Sequence, residues 1–250
     1  AAGPFQERAK RLVMTIQFVW FLGHLSTLFL GLKYILFKRF AEDGATLYAR
    51  TYYAVIMCYG ISLYKAHLTH VTMSSLQTTL ARVTADTNFN YLLIALLWCT
   101  GYPLAVTLVP FLVFSVFQCI PYIQRHVLPT LMPNPALEAK LGLLVEHYYT
   151  PALQMTALVE VCVIWPMLFL IIPFRGAGWL TPLFYGQFLR QRYQQSVYTR
   201  NAFANARGFL DARLLAHPAV PDPVKSGYTT LRDTLSKFGE GAAAAAPGAA

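Results

Sequence analysis

Apolar and polar residues come in long blocks along this chain, and the largest apolar block, Thr87 to Gln124, runs 38 residues without Asp, Glu, Lys, Arg or His. A spanning helix needs about 20 apolar residues to cross a hydrocarbon core of about 30 Å. The block is too long for one upright helix, so the pattern predicts two passes or one broken pass. Gly101, Tyr102 and Pro103 fall in its middle. Pro103 removes a backbone donor and disfavours helical geometry at Tyr102, which marks the break. A kink in one tilted helix and the tip of a hairpin both satisfy the pattern.

Three further blocks flank it. Leu12 to Leu32 is uncharged apart from His24 and sits between Lys10 and Arg11 on one side and Lys33, Lys38 and Arg39 on the other. It is too long for a signal-peptide core, and no small-x-small cleavage site follows, so it reads as a retained signal anchor. Thr51 to Tyr64 offers only 14 residues between Arg50 and Lys65. With Leu47, Tyr48 and Ala49 added and Arg50 snorkelling it makes a thin crossing; an interfacial or re-entrant helix is the alternative. The last block, Pro151 to Phe174, carries Glu160 near its centre.

Between the blocks, Leu68, Val71, Leu76, Leu80 and Val83 recur at helical intervals among Ser and Thr and predict an amphipathic surface helix within 66–90. Pro129, Pro133 and Pro135 mark a loop or a helix start. After Arg175 a Gly-rich turn leads into a stretch of interleaved aromatic residues and Arg, in which Phe203, Leu210 and Leu214 share a helical face with Arg207 close by. A final helix has a clear start, with Asp222 as cap and Pro223 in the first helical position. Its Val224, Tyr228, Leu231, Leu235 and Phe238 fall within an arc of about 80° at about 100° per residue. Lys225 and Arg232 sit at one edge of that arc and Asp233 lies opposite. Such a face suits a membrane surface, a partner's groove or the protein's own bundle. The closing GEGAAAAAPGAA is low-complexity.

Composition turns this pattern into a class. The 250 residues are 56% hydrophobic and 12% charged, with a mean hydropathy of +0.44. A soluble domain of this size needs a far more charged surface, so the chain reads as an all-α, polytopic membrane protein. About four membrane-inserted segments are expected, near 12–32, 47–64, 89–123 (broken at 101–103) and 151–174, with re-entrant hairpins as the alternative to full crossings. A short cytosolic N-terminus (1–11), a basic amphipathic helical tail (175–240) and the low-complexity end (241–250) complete the layout. From Arg175 onward nine Lys or Arg stand against four acids, +5 of the net +9, which is the signature of a cytosolic tail. Four crossings put both termini on that side but leave the four cations from Lys33 to Arg50 facing the lumen.

Candidate chemistry is sparse. Cys58, Cys99, Cys119 and Cys162 each lie in an apolar run without paired spacing and read as free thiols. His67 and His70 share a helix face but have no third ligand nearby, and the Glu146–His147 pair reads as interfacial. Neither a nucleophile elbow, a zinc-protease motif, a phosphate-cradling loop nor a dinucleotide fingerprint occurs, so no enzymatic activity, cofactor, metal or specific nucleic acid is expected. Glu160 is the one intramembrane acid. A neutral carboxyl hydrogen-bonded within the bundle is the plain reading, and a channel, transporter or lipid-moving site centred on it is the alternative function.

The central stretch NYLLIALLWCTGYPLAVTLVPFLVFSVF, a Glu-bearing apolar block and then FYGQFLRQRYQQSVYTRNAFANAR together resemble the transmembrane protein 33 family, whose fungal members include pore membrane proteins. The likeness runs from the first span to Arg213 and is carried by Tyr91, Tyr102, Pro103, Pro110, Phe188, Arg192 and Tyr193. It implies a non-enzymatic protein of the endoplasmic reticulum and nuclear envelope that shapes tubular membrane and contributes to nuclear pore distribution or assembly. The partners it implies are the lipid bilayer and anionic headgroups, reticulon-type or nuclear pore membrane proteins, and nuclear transport receptors. On that reading Val224, Lys225, Tyr228, Leu231, Arg232, Leu235 and Phe238 form the membrane- or partner-binding surface.

Overall fold

A computed structural model describes residues 5–69, 76–175 and 180–243; among them the regular elements are all helical. The chain forms two compact units, residues 1–156 and 157–250. By length and composition three helices can cross a membrane: Ile16–Lys38, Ala105–Leu131 and Pro135–Ile171. His70 and Val71 lie outside the described residues.

In the first unit, α1 (Phe5–Val13) precedes α2 (Ile16–Lys33), which Thr15 caps by accepting from the Phe18 N–H at 3.1 Å. A π-helical turn, Tyr34–Lys38, prolongs α2. Next come α3 (Gly44–Leu63), itself prolonged through Tyr64–Leu68, and the short α4 (Leu76–Ala85). Then α5 (Thr87–Thr100) and α6 (Leu108–Tyr122) follow, with the small α7 (Leu128–Leu131) behind them. Neighbours run antiparallel. Trp20 meets Ser62 and Tyr34 meets Tyr48 between α2 and α3, Tyr59 meets Tyr91 and Cys99 meets Ala49 between α3 and α5, and His24 meets Ser115 and Phe21 stacks on Tyr122 between α2 and α6. The 87–124 block is thus a hairpin, not a kinked rod. It breaks where Gly101 and Leu104 are extended.

Beside Phe21, the packed face of α2 is built from small or polar residues, unlike the core of a water-soluble protein. On α2 the small or polar Gly23, His24, Thr27 and Gly31 are buried, whereas Leu22, Leu25, Phe29, Leu32 and Leu36, at helical spacing, are exposed. That stripe is what a lipid-facing surface looks like, and small residues on the opposite face let backbones approach. Buried polar groups find each other. The hydroxyl of Thr107 donates to the Leu104 carbonyl at 2.7 Å, so Tyr48 and Tyr52, each 2.8 Å from the same oxygen, are its donors. This cluster fastens the hairpin tip to α3.

Two boundaries differ from the sequence reading. The last apolar helix does not begin near Pro151 but at Pro135, where Asn134 accepts from the Leu137 N–H; α8 (Pro135–Leu158) continues through the π-helical Val159–Ile164 into α9 (Trp165–Arg175). Hydropathy missed its first turns because a helix outside lipid carries charges such as Glu138 and Lys140 freely. The predicted surface helix within 66–90 is described as α4, separated from α5 by Asp86, which caps α5 through the Asn88 N–H at 2.7 Å and pairs with His67 at 2.6 Å.

The second unit holds α9, then α10 (Leu180–Gln195), α11 (Val197–Leu210) with a π-helical extension Asp211–Leu215, and α12 (Asp222–Ala243). α10 runs back along α9: Trp165 Nε1 donates to the Pro182 carbonyl at 3.3 Å, while farther along Glu160 faces Arg192. Phe203 of α11 packs edge-on against both Trp165 and Tyr193.

Close helix approach yields a prediction. A Cβ on Gly23 would sit 2.5 Å from Cys58 Sγ and 2.7 Å from Met57 Cε, and one on Gly31 2.7 Å from Leu112 Cδ2, whereas Gly60 has nothing within 4 Å. Gly23→Val is expected to cost about 1–3 kcal/mol. It should lower the thermal midpoint in detergent, read by size-exclusion chromatography, while Gly60→Ala leaves that midpoint unchanged or raises it.

Candidate functional site

Two constellations in the second unit gather the polar residues that the sequence analysis singled out. The first is buried. Glu160, on the π-helical turn that joins α8 to α9, is 1% exposed, and Arg192 of α10 brings its Nε to 3.8 Å from the carboxylate. Tyr185, Phe188 and Leu189 are buried on the same helix. From sequence Glu160 read as an acid without a cation nearby in the membrane, because Arg192 lies 32 residues away and belongs by composition to the tail; the fold removes that separation. The antiparallel run of α10 along α9 is what brings the two together. The fold thus sets a guanidinium within ion-pair distance of the acid, a partner that the sequence pattern did not offer.

The second constellation centres on Asp211, which sequence reasoning did not select. Its carboxylate accepts from the Tyr228 hydroxyl at 2.7 Å and from Arg232 Nη1 at 3.3 Å, and Arg207 Nε lies 3.6 Å away. The Tyr228 hydrogen bond, with the two guanidinium groups behind it, holds the Asp211 carboxyl below its ordinary range. Arg232 also pairs with Asp233 at 3.0 Å, and that bond, followed by the one to Asp211, holds its guanidinium even more firmly protonated. The only hint in the sequence was an acid standing among cations, a signal shared by many surface residues.

This contact decides which way α12 faces. The half-buried residues of its first four turns are Lys225, Tyr228, Thr229, Arg232 and Ser236, a polar edge. Val224, Leu231 and Leu235 are exposed, Leu231 to 58%. The helix therefore docks through its polar side and leaves its apolar stripe open, the reverse of ordinary amphipathic packing. Of the predicted surface, Val224, Leu231 and Leu235 lie outward together, Tyr228 and Arg232 are drawn to Asp211, and the side chain of Phe238 lies outside the described residues.

The family-motif positions are spread through the fold. Tyr91 is buried between Tyr59, Phe111 and Phe114; Tyr102 and Pro103 form the hairpin tip; Pro110 is buried in α6; Phe188, Arg192 and Tyr193 lie along α10. They hold helices in place and do not converge on one cleft. Among the described residues no group of three or more His, Cys, Asp and Glu could hold a metal ion. His67 spends its ring on Asp86.

Both constellations make predictions. Arg192→Ala strands a buried carboxylate and is expected to cost about 3–5 kcal/mol, whereas replacing both partners by apolar residues of similar volume costs far less. Thermal unfolding in detergent checks the pair. Because the Asp211 carboxyl is depressed when folded, its contribution is present above the ordinary carboxylate range and lost as pH falls through the lowered value. Amide exchange over 222–237 is expected to quicken in acid, and Asp211→Ala should give that fast exchange at neutral pH.

Comparison with known proteins adds lineage to this geometry. The profile of a family described as Transmembrane protein 33/Nucleoporin POM33 matches residues 4–240. Nucleoporin POM33 of Chaetomium thermophilum is 29% identical, covering 94% of this chain and 90% of that protein. Tetra-spanning protein 1 of Schizosaccharomyces pombe is 27% identical over 94% of this chain and 88% of its own length. The pore membrane protein of 33 kDa from Saccharomyces cerevisiae is 25% identical over 96% and 90%. No solved structure matches the chain.

Proposed function

The chain belongs to the transmembrane protein 33/nucleoporin POM33 family, and on that premise we propose that it is a non-enzymatic shaping or scaffold protein of the endoplasmic reticulum and nuclear pore membrane. Its helical bundle anchors it, and α12 reads the surface of the bilayer from the cytosolic side. The names of its fungal relatives, a nucleoporin and a pore membrane protein, support the location.

The observation that carries the reading is the orientation of α12. Its polar edge is spent on Asp211, so Val224, Leu231 and Leu235 are presented together rather than folded inward. A helix of this kind seats its apolar side between headgroups and acyl chains, and it binds best where lipid is loosely packed, as on curved membrane. Arg232, which the sequence assigned to headgroup contact, is committed to Asp211 and Asp233. Lys237, exposed on the same helix, is available to anionic lipid, whereas Lys225 lies half-buried on the docked edge. Reticulon-type and nuclear pore membrane proteins, with nuclear transport receptors, are the proteins this surface would meet in such a location.

A transport role centred on Glu160 finds less support. The carboxylate is buried and faces Arg192, an arrangement that serves packing between two helices rather than a hydrated path.

The test is liposome binding by a peptide covering residues 218–243. Leu231→Asp with Leu235→Asp is expected to weaken binding to small anionic vesicles by more than about tenfold, since each lost leucine forfeits about 1.5–3 kcal/mol of burial. Equal binding by the two peptides would remove α12 from the mechanism.

A further inference from the structure

By charge, everything after Arg175 belongs to a basic tail outside the bilayer. The surface of α10 says otherwise. Leu180, Leu183 and Phe184 are 64%, 65% and 58% exposed, and the pairing of Trp165 with Pro182 and of Glu160 with Arg192 fixes the register of α10 against α9. In that register the exposed Phe169 and Leu170 of α9 lie level with Leu180. Five large apolar side chains thus share one end of a two-helix unit. Toward the other end polarity rises: Gln187, Gln194 and Gln195 are exposed, and α11, whose Phe203 packs against Trp165 and Tyr193, exposes Arg200, Asn201 and Asn205.

We propose that α10 is membrane-embedded, with its Leu180–Phe184 face against lipid acyl chains, as the return limb of a helical hairpin whose other limb is α9. Continuity identifies lipid as the occupant. Phe169 and Leu170 belong to Pro135–Ile171, one of the three helices apolar and long enough to cross a membrane, and the exposed Leu180, Leu183 and Phe184 stand on the helix packed against it. As a helix, α10 satisfies its own backbone groups in lipid. Between Glu160 and Arg190 the sequence carries a single charge, Arg175, at the end of α9.

Two consequences follow for residues already described. The water-exposed tail starts near Arg190, not Arg175. The Glu160–Arg192 pair joins the two limbs and sets a guanidinium beside the one acid of the first limb's apolar run.

The experiment uses the full chain reconstituted into phosphatidylcholine/phosphatidylserine vesicles, with a water-soluble biotin-maleimide admitted to both faces through alamethicin pores. Maleimide needs a thiolate, which apolar surroundings suppress, so Leu183→Cys and Phe184→Cys are expected to label about tenfold more slowly than Asn201→Cys until detergent is added. Native Cys162, exposed on the first limb's π-helical turn, sets the background in the parent protein. Labelling of the limb cysteines as fast as Asn201→Cys in intact vesicles overturns the proposal. Protection that survives detergent overturns it too, because protein rather than lipid would then cover the face. Should one limb variant misfold, the other carries the test. The proposal rests on membrane residence but not on α12, so its failure and that of the liposome result are separable.

Discussion

A polar group that leaves water must find its partner inside the protein, and in a membrane that requirement is stricter because hydrocarbon offers no substitute. Most of this structure follows from it. His24 reaches Ser115 at 3.0 Å, Trp20 donates to Ser62 at 3.0 Å, and Tyr48 and Tyr52 share the oxygen of Thr107. Each of these contacts joins different helices. Large apolar side chains are free to face lipid, as Leu22, Leu25, Phe29 and Leu32 of α2 do, while Gly, Thr and His lie within beside Phe21. Specificity of assembly in this protein resides in its minority of polar side chains.

The same rule governs the buried Glu160. An isolated carboxylate at that position would be costly, and the fold meets the cost by running α10 back along α9 until a guanidinium arrives. Asp211 does comparable work nearer water. It gathers a tyrosine and two arginines and thereby sets the rotation of α12 about its own axis. In both cases one acid in a basic region determines the placement of a helix, although neither belongs to a recognisable motif.

Much of the architecture was legible in the sequence because hydropathy and proline are strong local signals. Gly101–Tyr102–Pro103 marked a break in the apolar block, Pro129, Pro133 and Pro135 marked a loop or a helix start, and Asp222 with Pro223 marked the start of α12. The choice between kink and hairpin was not legible, since it rests on Thr107 meeting Tyr48 and Tyr52 more than 50 positions away. The partnership of Glu160 with Arg192 was hidden for the same reason. The amphipathic stripe of α12 could be read as a periodicity, but not its outward direction, which depends on Asp211. Local pattern reveals what a segment can do; pairing across distance decides which option is taken.

Among the described residues, helices widen into π-helical turns at Tyr34–Lys38, Tyr64–Leu68, Ile123–Val127, Val159–Ile164 and Asp211–Leu215. Each such turn accommodates an additional residue without breaking the helix and advances every later side chain by about 100° around the axis. Four of these carry Lys, Arg or His, and the first three stand where apolar sequence gives way to charged sequence. The extra residue acts as a vernier, resetting the angular phase so that a cation following a greasy stripe swings off the bearing of that stripe. Single-residue insertions and deletions can therefore be absorbed at these joints during evolution, with the helix core left in its original phase.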